Sequence, residues 1–193
     1  LAAIDTQAFV AHVQKHLEEV GFSLPVQLRM RVGVSTGPAV VGDCGSTRKF
    51  DYTCLGDTVN LASRLEPTNK FFGTSVIIAE STWRQMGGGL IARLLGRIRV
   101  VGREQPVVIY DLIKRDEGER DQGLRDYVAR FEELVRAYWS ADFSAVGDLT
   151  AELKASSLGA ADRPLEIYAD LYREWEATEG ASYTDGTIEM HSK

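Results

Sequence analysis

Phe50-Asp51-Tyr52-Thr53-Cys54-Leu55-Gly56-Asp57-Thr58-Val59-Asn60-Leu61-Ala62-Ser63-Arg64-Leu65-Glu66 reads as the end of a strand, a tight Gly-Asp turn and a helix. Asp57 is placed to cap that helix, and an Asp, Asn, Ser or Thr cap contributes about 1 kcal/mol. Asn60 and Arg64 stand four residues apart, so they sit one above the other on a single helical face. Val59, Ala62 and Leu65 fall on another side and can pack on a sheet. The helix thus offers an apolar face to the protein and an amide with a guanidinium to something polar and anionic.

Outward from this stretch, the chain is that of an ordinary globular protein. Its 193 residues are 44% hydrophobic and 26% charged, enough for a sizeable core in one or two domains. A net charge of -6 leaves no basic surplus for phosphate neutralisation, so no general nucleic-acid binding is expected. No apolar run approaches the roughly 18 residues of a membrane span, and no signal peptide is visible. Cys44 and Cys54 read as free thiols of a reducing compartment, and a cytoplasmic location is expected, either free or as the cytosolic part of a membrane-bound sensor protein. His12 and His16 have the spacing of a zinc pair, but no third ligand supports them, and a solvated helix face is the expectation. The first residue is Leu1, which points to an origin inside a longer protein or to processing.

Residues 5–20 carry Phe9, Val10, Val13, Leu17 and Val20 at helical spacing, with Asp5 or Thr6 as cap and Gly21 as stop. Residues 28–35 alternate, with Leu28, Met30, Val32 and Val34 on one face, as a half-buried strand does. Thr36-Gly37-Pro38 turns the chain into a returning strand at Ala39–Val41, and residues 42–49 read as a polar loop without the spacing of a phosphate-binding P-loop. Residues 67–73 read as a connector and 74–79 as a strand buried on both faces. Ser81 is expected to cap a short helix. Residues 97–101 and 106–112 form a hairpin through Gly102-Arg103-Glu104, with Pro106 at an edge position. Composition shifts at Lys114, so residues 1–113 are expected to form one domain, 114–123 a linker and 124–193 a helical extension. Three apolar stripes mark its helices, and the tail from Thr178 is polar and expected to be poorly ordered.

Residues 31–112 resemble the C-terminal half of a class III nucleotidyl cyclase catalytic domain. The matching stretches are Arg31-Val32-Gly33-Val34-Ser35-Thr36-Gly37, Val40-Val41-Gly42, Asp51-Tyr52-Thr53, Gly56 to Glu66, Val100-Val101-Gly102, Pro106-Val107 and Tyr110-Asp111-Leu112. The resemblance implies an α+β fold, a partial ferredoxin-like βαββαβ domain, followed here by helices like the tail of some bacterial adenylate cyclases. It implies conversion of ATP to cyclic AMP and pyrophosphate by in-line attack of the ribose 3′-oxygen on the α-phosphate. It makes Asn60 the residue that orients the ribose and Arg64 the one that meets charge developing on the α-phosphate. An arginine suits that task because it gives a bidentate, charge-assisted pair to phosphate oxygens. By analogy with arginine fingers, such a residue is worth roughly 10³–10⁵ in rate. Thr53 falls where the family reads the purine, and a hydroxyl there resembles the bacterial adenylate-cyclase variant; as both donor and acceptor it discriminates ATP from GTP only modestly. By residue type alone, Arg64 is a surface arginine and Asn60 a helix-surface amide; the surrounding motif gives them their functional reading.

The resemblance also implies two Mg²⁺ or Mn²⁺ ions, held by two aspartates, and an adenine-reading lysine. All of these belong upstream of the helix near Asp5, and their ligands are absent from this chain. The family dimerises head to tail, with the metal aspartates of one subunit facing the Asn and Arg of the other. A homodimer of this chain is therefore expected to bind ATP and to be inactive alone. The alternative is a truncated or degenerate cyclase acting as a dimerisation or interaction module through an open sheet edge or the helical tail.

Overall fold

The computed structural model describes residues 1–46 and 49–190 and, of residues 44–46 and 49–51, the backbone only; His191 and the Cys44 thiol lie outside the described set. Helix α1 (Ala2–Glu19) starts ahead of Asp5 and Thr6, so neither caps it. Thr6 instead donates to the Ala2 carbonyl at 2.8 Å, and Asp5 pairs with Arg115 at 2.6 Å. The alternating stretch 28–35 is a strand only at Val32–Val34 (β1), parallel to Val76–Ala79. Leu28–Arg31 runs beside α1 instead. Gln14 Oε1 accepts from the Leu28 N–H and Gln7 Nε2 donates to the Met30 carbonyl, both at 3.0 Å. Helix side chains thus take backbone bonds that a ladder would otherwise supply.

The next two strands, β2 (Val40–Ser46) and β3 (Lys49–Leu55), pair with each other as an antiparallel hairpin apart from the main sheet. Of the stretch 42–49, expected as a loop, residues 42–46 and 49 are strand residues at the far end of this hairpin. Helix α2 (Asp57–Phe72) runs through Pro67 and absorbs the expected connector, ending at Gly73. Burial of Thr68, Asn69 and Phe72 holds that last turn, offsetting the hydrogen bond that the proline removes. β4 (Val76–Ala79) is buried throughout, as expected. The short α3 (Glu80–Trp83) starts at the end of β4 with no side-chain cap, so Ser81 lies inside it.

β5 (Leu90–Arg99) and β6 (Val107–Arg115) form the expected hairpin, extended beyond its predicted ends, and Pro106 precedes the second arm. After a 3-10 turn at Gly118–Asp121 come α4 (Gln122–Trp139), α5 (Phe143–Ala155) and α6 (Arg163–Ala177). The tail from Thr178 does not trail off: Thr187–Glu189 (β7) pairs in parallel with β5. The main sheet has the order β1-β4-β6-β5-β7.

The fold is mixed α+β, and the period of two along β4 explains how its layers form. Val76 and Ile78 point toward α1 and α3, with Ala3, Ile4 and Trp83 around them. Ile77 and Ala79 point to the opposite face, into a larger core with Leu61, Leu65 and Phe72 of α2 and with the three C-terminal helices. Residues 114–123 comprise the end of β6, the 3-10 turn and the first residues of α4. α1 buries none of its residues, and Phe9 and Val20 are exposed. Among the described residues no helix is long and apolar enough to cross a membrane.

Candidate functional site

α2 is set against β1 by direct backbone approach. A Cβ placed on Gly33 would stand 2.4 Å from the Ala62 carbonyl oxygen and 2.5 Å from the Glu66 nitrogen. Only glycine lets the strand and the helix come this close. Asn69, fully buried in the last turn, reinforces the contact: its Nδ2 donates to Val32, Leu65 and Glu66 carbonyls at 3.0, 3.2 and 3.0 Å. Its Oδ1 accepts from Thr74 Oγ1 at 2.9 Å.

The head of the helix differs from expectation. Gly56 occupies the cap position with no side-chain bond, and Asp57 is the first helical residue. The Asp57 carboxylate favours the helix N-terminus through its charge and accepts from Arg103 Nη1 at 2.8 Å. Arg103 belongs to the turn between β5 and β6, so this pair ties that turn to the start of α2. Its sequence signal was only its position next to Gly102, and sequence reasoning passed it over.

The three expected site residues come from consecutive elements. Thr53 lies in β3 opposite Gly42 and is half-buried. Asn60 is exposed on the first turns of α2; its N–H donates to the Gly56 carbonyl at 3.1 Å, and its own carbonyl accepts from Ser63 Oγ at 2.8 Å. Its side-chain amide has no hydrogen-bond partner among the described residues. Arg64 is half-buried, and its guanidinium lies over the Gly102 turn: a Cβ on Gly102 would stand 3.2 Å from Nη2 and 3.4 Å from Nη1. Gly102 has φ +73°, so the turn needs glycine for its backbone as well as for the space. Among the described residues no carboxylate pairs with Arg64. The arrangement leaves an amide and an uncompensated guanidinium on one helical face, a pattern that receives an anion with a hydroxyl-bearing neighbour.

A cavity of about 700 Å³ lies elsewhere, between α1, Gln27–Arg31 and the segment after α2. It contains none of the three site residues. The three expected residues lie on β3 and α2, with the β5–β6 turn against Arg64. No group of three or more His, Cys, Asp or Glu side chains is placed to hold a metal among the described residues. Asp57, the carboxylate at the head of α2, is engaged by Arg103.

A family model for the adenylate and guanylate cyclase catalytic domain matches residues 2–113. Adenylate cyclase 1 of Rhizobium meliloti is 41% identical over 87 residues, which is 45% of this chain and 13% of that protein. An adenylate cyclase of Anabaena cylindrica is 32% identical over 89 residues, 45% of this chain and 18% of the relative. The chain therefore spans a small part of the curated relatives it matches. Among solved structures, the adenylyl cyclase CyaB of P. aeruginosa superposes with a TM-score of 0.50 at 30% identity, covering 59% of this chain and 56% of that one.

Proposed function

The chain belongs to the family of adenylate and guanylate cyclase catalytic domains, and from that premise we propose that it supplies the ribose- and α-phosphate-holding half of an adenylate cyclase site. Asn60 holds the ribose so that its 3′-oxygen is in line with the α-phosphate. Arg64 receives the negative charge that grows on the α-phosphate oxygens as the new O–P bond forms and pyrophosphate leaves. Thr53 meets the purine edge. The observation that carries this reading is the Arg64 guanidinium, half-buried against Gly102 and without a carboxylate partner among the described residues. Half-burial strengthens a charge-assisted bond to phosphate relative to open water. Similarity to Adenylate cyclase 1 of Rhizobium meliloti favours ATP over GTP.

The described carboxylates do not fit the two-ion centre expected of the family, so no step is derived through a metal. In this reading the ions and their ligands come from outside the described residues, and the chain alone makes no cyclic AMP from ATP and Mn²⁺. Calorimetric titration with ATP tests the binding half. Arg64→Ala is expected to weaken ATP about 10- to 100-fold, the scale of one charged hydrogen-bonded pair. Equal affinity in the variant and the parent would reject the assignment of Arg64.

An interaction module is the second reading. The observation in its favour is the β2–β3 hairpin, where Val40, Val41, Tyr52 and Leu55 are 72%, 58%, 76% and 53% exposed. Such a patch marks an association surface, and a homodimer would cover it. Both readings use the same hairpin; only ATP binding lost with Arg64 separates them.

A further inference from the structure

The β5–β6 turn that supports Arg64 is held from behind by the C-terminal segment. β7 is a parallel strand of three residues, Thr187↔Arg97 to Glu189↔Arg99, and short parallel pairing is a weak hold on its own. Ile188 is buried in the main core, and the Met190 N–H donates to the Arg99 carbonyl at 3.0 Å. Arg97 lies over the Trp139 ring at 4.9 Å and donates to the Asp185 carbonyl at 3.1 Å. Arg99 faces both ways. On one side its guanidinium bonds Glu189 and approaches Asp185 at 4.0 Å; on the other its Nε donates to the Glu104 carbonyl at 3.0 Å, inside the turn. The turn then carries Gly102 beneath the Arg64 guanidinium and Arg103 bound to Asp57 at the head of α2.

We propose that Arg99 is a positioning residue, coupling the docked segment 185–190 to the conformation of the β5–β6 turn and through it to Arg64. The functional consequence rests on the proposed role of Arg64; the mechanical coupling does not. Both arms of the test use the 193-residue chain. In the first arm, amide hydrogen exchange is followed at Ile188, Met190 and Arg103, with β4 as an internal reference. Arg99→Gln removes both sets of contacts. It is expected to speed exchange at Ile188, Met190 and Arg103 roughly three- to tenfold, the scale of a partly exposed ion network, with β4 unchanged. Arg99→Lys keeps a cation for Glu189 but lacks the Nε that reaches Glu104. It is expected to keep β7 protected and to speed only Arg103. A merely structural arginine would loosen β4 along with the rest, and that result overturns the proposal. So does an Arg103 amide that stays at the parent rate in either variant. In the second arm, ATP affinity is expected to fall in Arg99→Gln by a similar factor. If the parent chain fails to bind ATP, the nucleotide reading falls, while the exchange pattern still decides the coupling.

Discussion

Asn69 shows how much of α2's placement rests on single side chains. It is fully buried, and its amide nitrogen reaches three carbonyls, one of which, Val32, belongs to the facing strand. Its oxygen accepts from Thr74, at the point where the chain leaves the helix for β4. Removing the amide leaves the Thr74 hydroxyl and the Val32 carbonyl short of a partner, and stranding a buried polar group costs about 1–3 kcal/mol. Asn69→Ala is therefore expected to lower the unfolding free energy by about that amount, read as a lower urea midpoint at unchanged slope. A variant matching the parent midpoint would show that water replaces the amide. Gly33 works from the opposite direction, because an added Cβ meets helix backbone that has no rotamer to yield. Neither residue stands out in a one-dimensional pattern. Asn69 reads as a polar helix position, and Gly33 lies on the polar side of an alternating strand.

Elements whose cause is local were legible in the sequence. The continuous apolar run gave β4, the Gly102 turn gave the β5–β6 hairpin, and the three apolar stripes gave the C-terminal helices. The motif around Gly56 gave α2 together with Asn60 and Arg64, the residues whose roles remain proposed. What misled was structure fixed by distant partners. Leu28–Arg31 alternates like a strand but spends its backbone bonds on Gln7 and Gln14 of α1. Ile188 has no local reason to form a strand and does so because β5 offers an edge. Pro67 reads as a helix stop, yet α2 continues past it because its last turn is buried. That last case makes a prediction. An interior proline costs a helix about 3 kcal/mol, of which unfolded-state stiffness returns about 0.4–1 kcal/mol. Pro67 is exposed, so Pro67→Ala is expected to raise stability by about 1–3 kcal/mol in urea denaturation. A loss of stability would mean that the ring itself contributes packing at the helix surface.

At the scale of the molecule, the sheet and the C-terminal helices share one core. A single cluster runs from Leu65 and Phe72 of α2 through Ile98 and Ile109 to Phe131, Tyr168 and Ile188. Tyr168, fully buried, donates to the Leu95 carbonyl at 2.9 Å. Arg93 of β5 bonds Asp111 of β6 at 2.9 Å and Asp162, just ahead of α6, at 2.7 Å, while the Tyr127 hydroxyl of α4 donates to the same Asp162 at 2.7 Å. Burial raises the Asp111 carboxyl against the pull of Arg93. Burial likewise raises the phenols at this seam: Tyr127, helped by its bond to Asp162, and Tyr168 strongly, and Tyr138 up to about 12. An unfolded phenol loses its proton near pH 10. Above that value the unfolded chain binds fewer protons than the folded one, so each further rise in pH lowers stability until the folded pKa is passed. Alkaline unfolding is thus expected to begin above about pH 10. Because the raised phenols lie between helices and sheet, both layers should be lost together. Tyrosinate absorbance at 295 nm and far-ultraviolet circular dichroism follow the two sides of the event. The buried tyrosines should ionise in one step, together with loss of the helical signal. Two separated steps would mean that the C-terminal helices come away from the sheet before it unfolds, and that the shared core does not make them one cooperative unit.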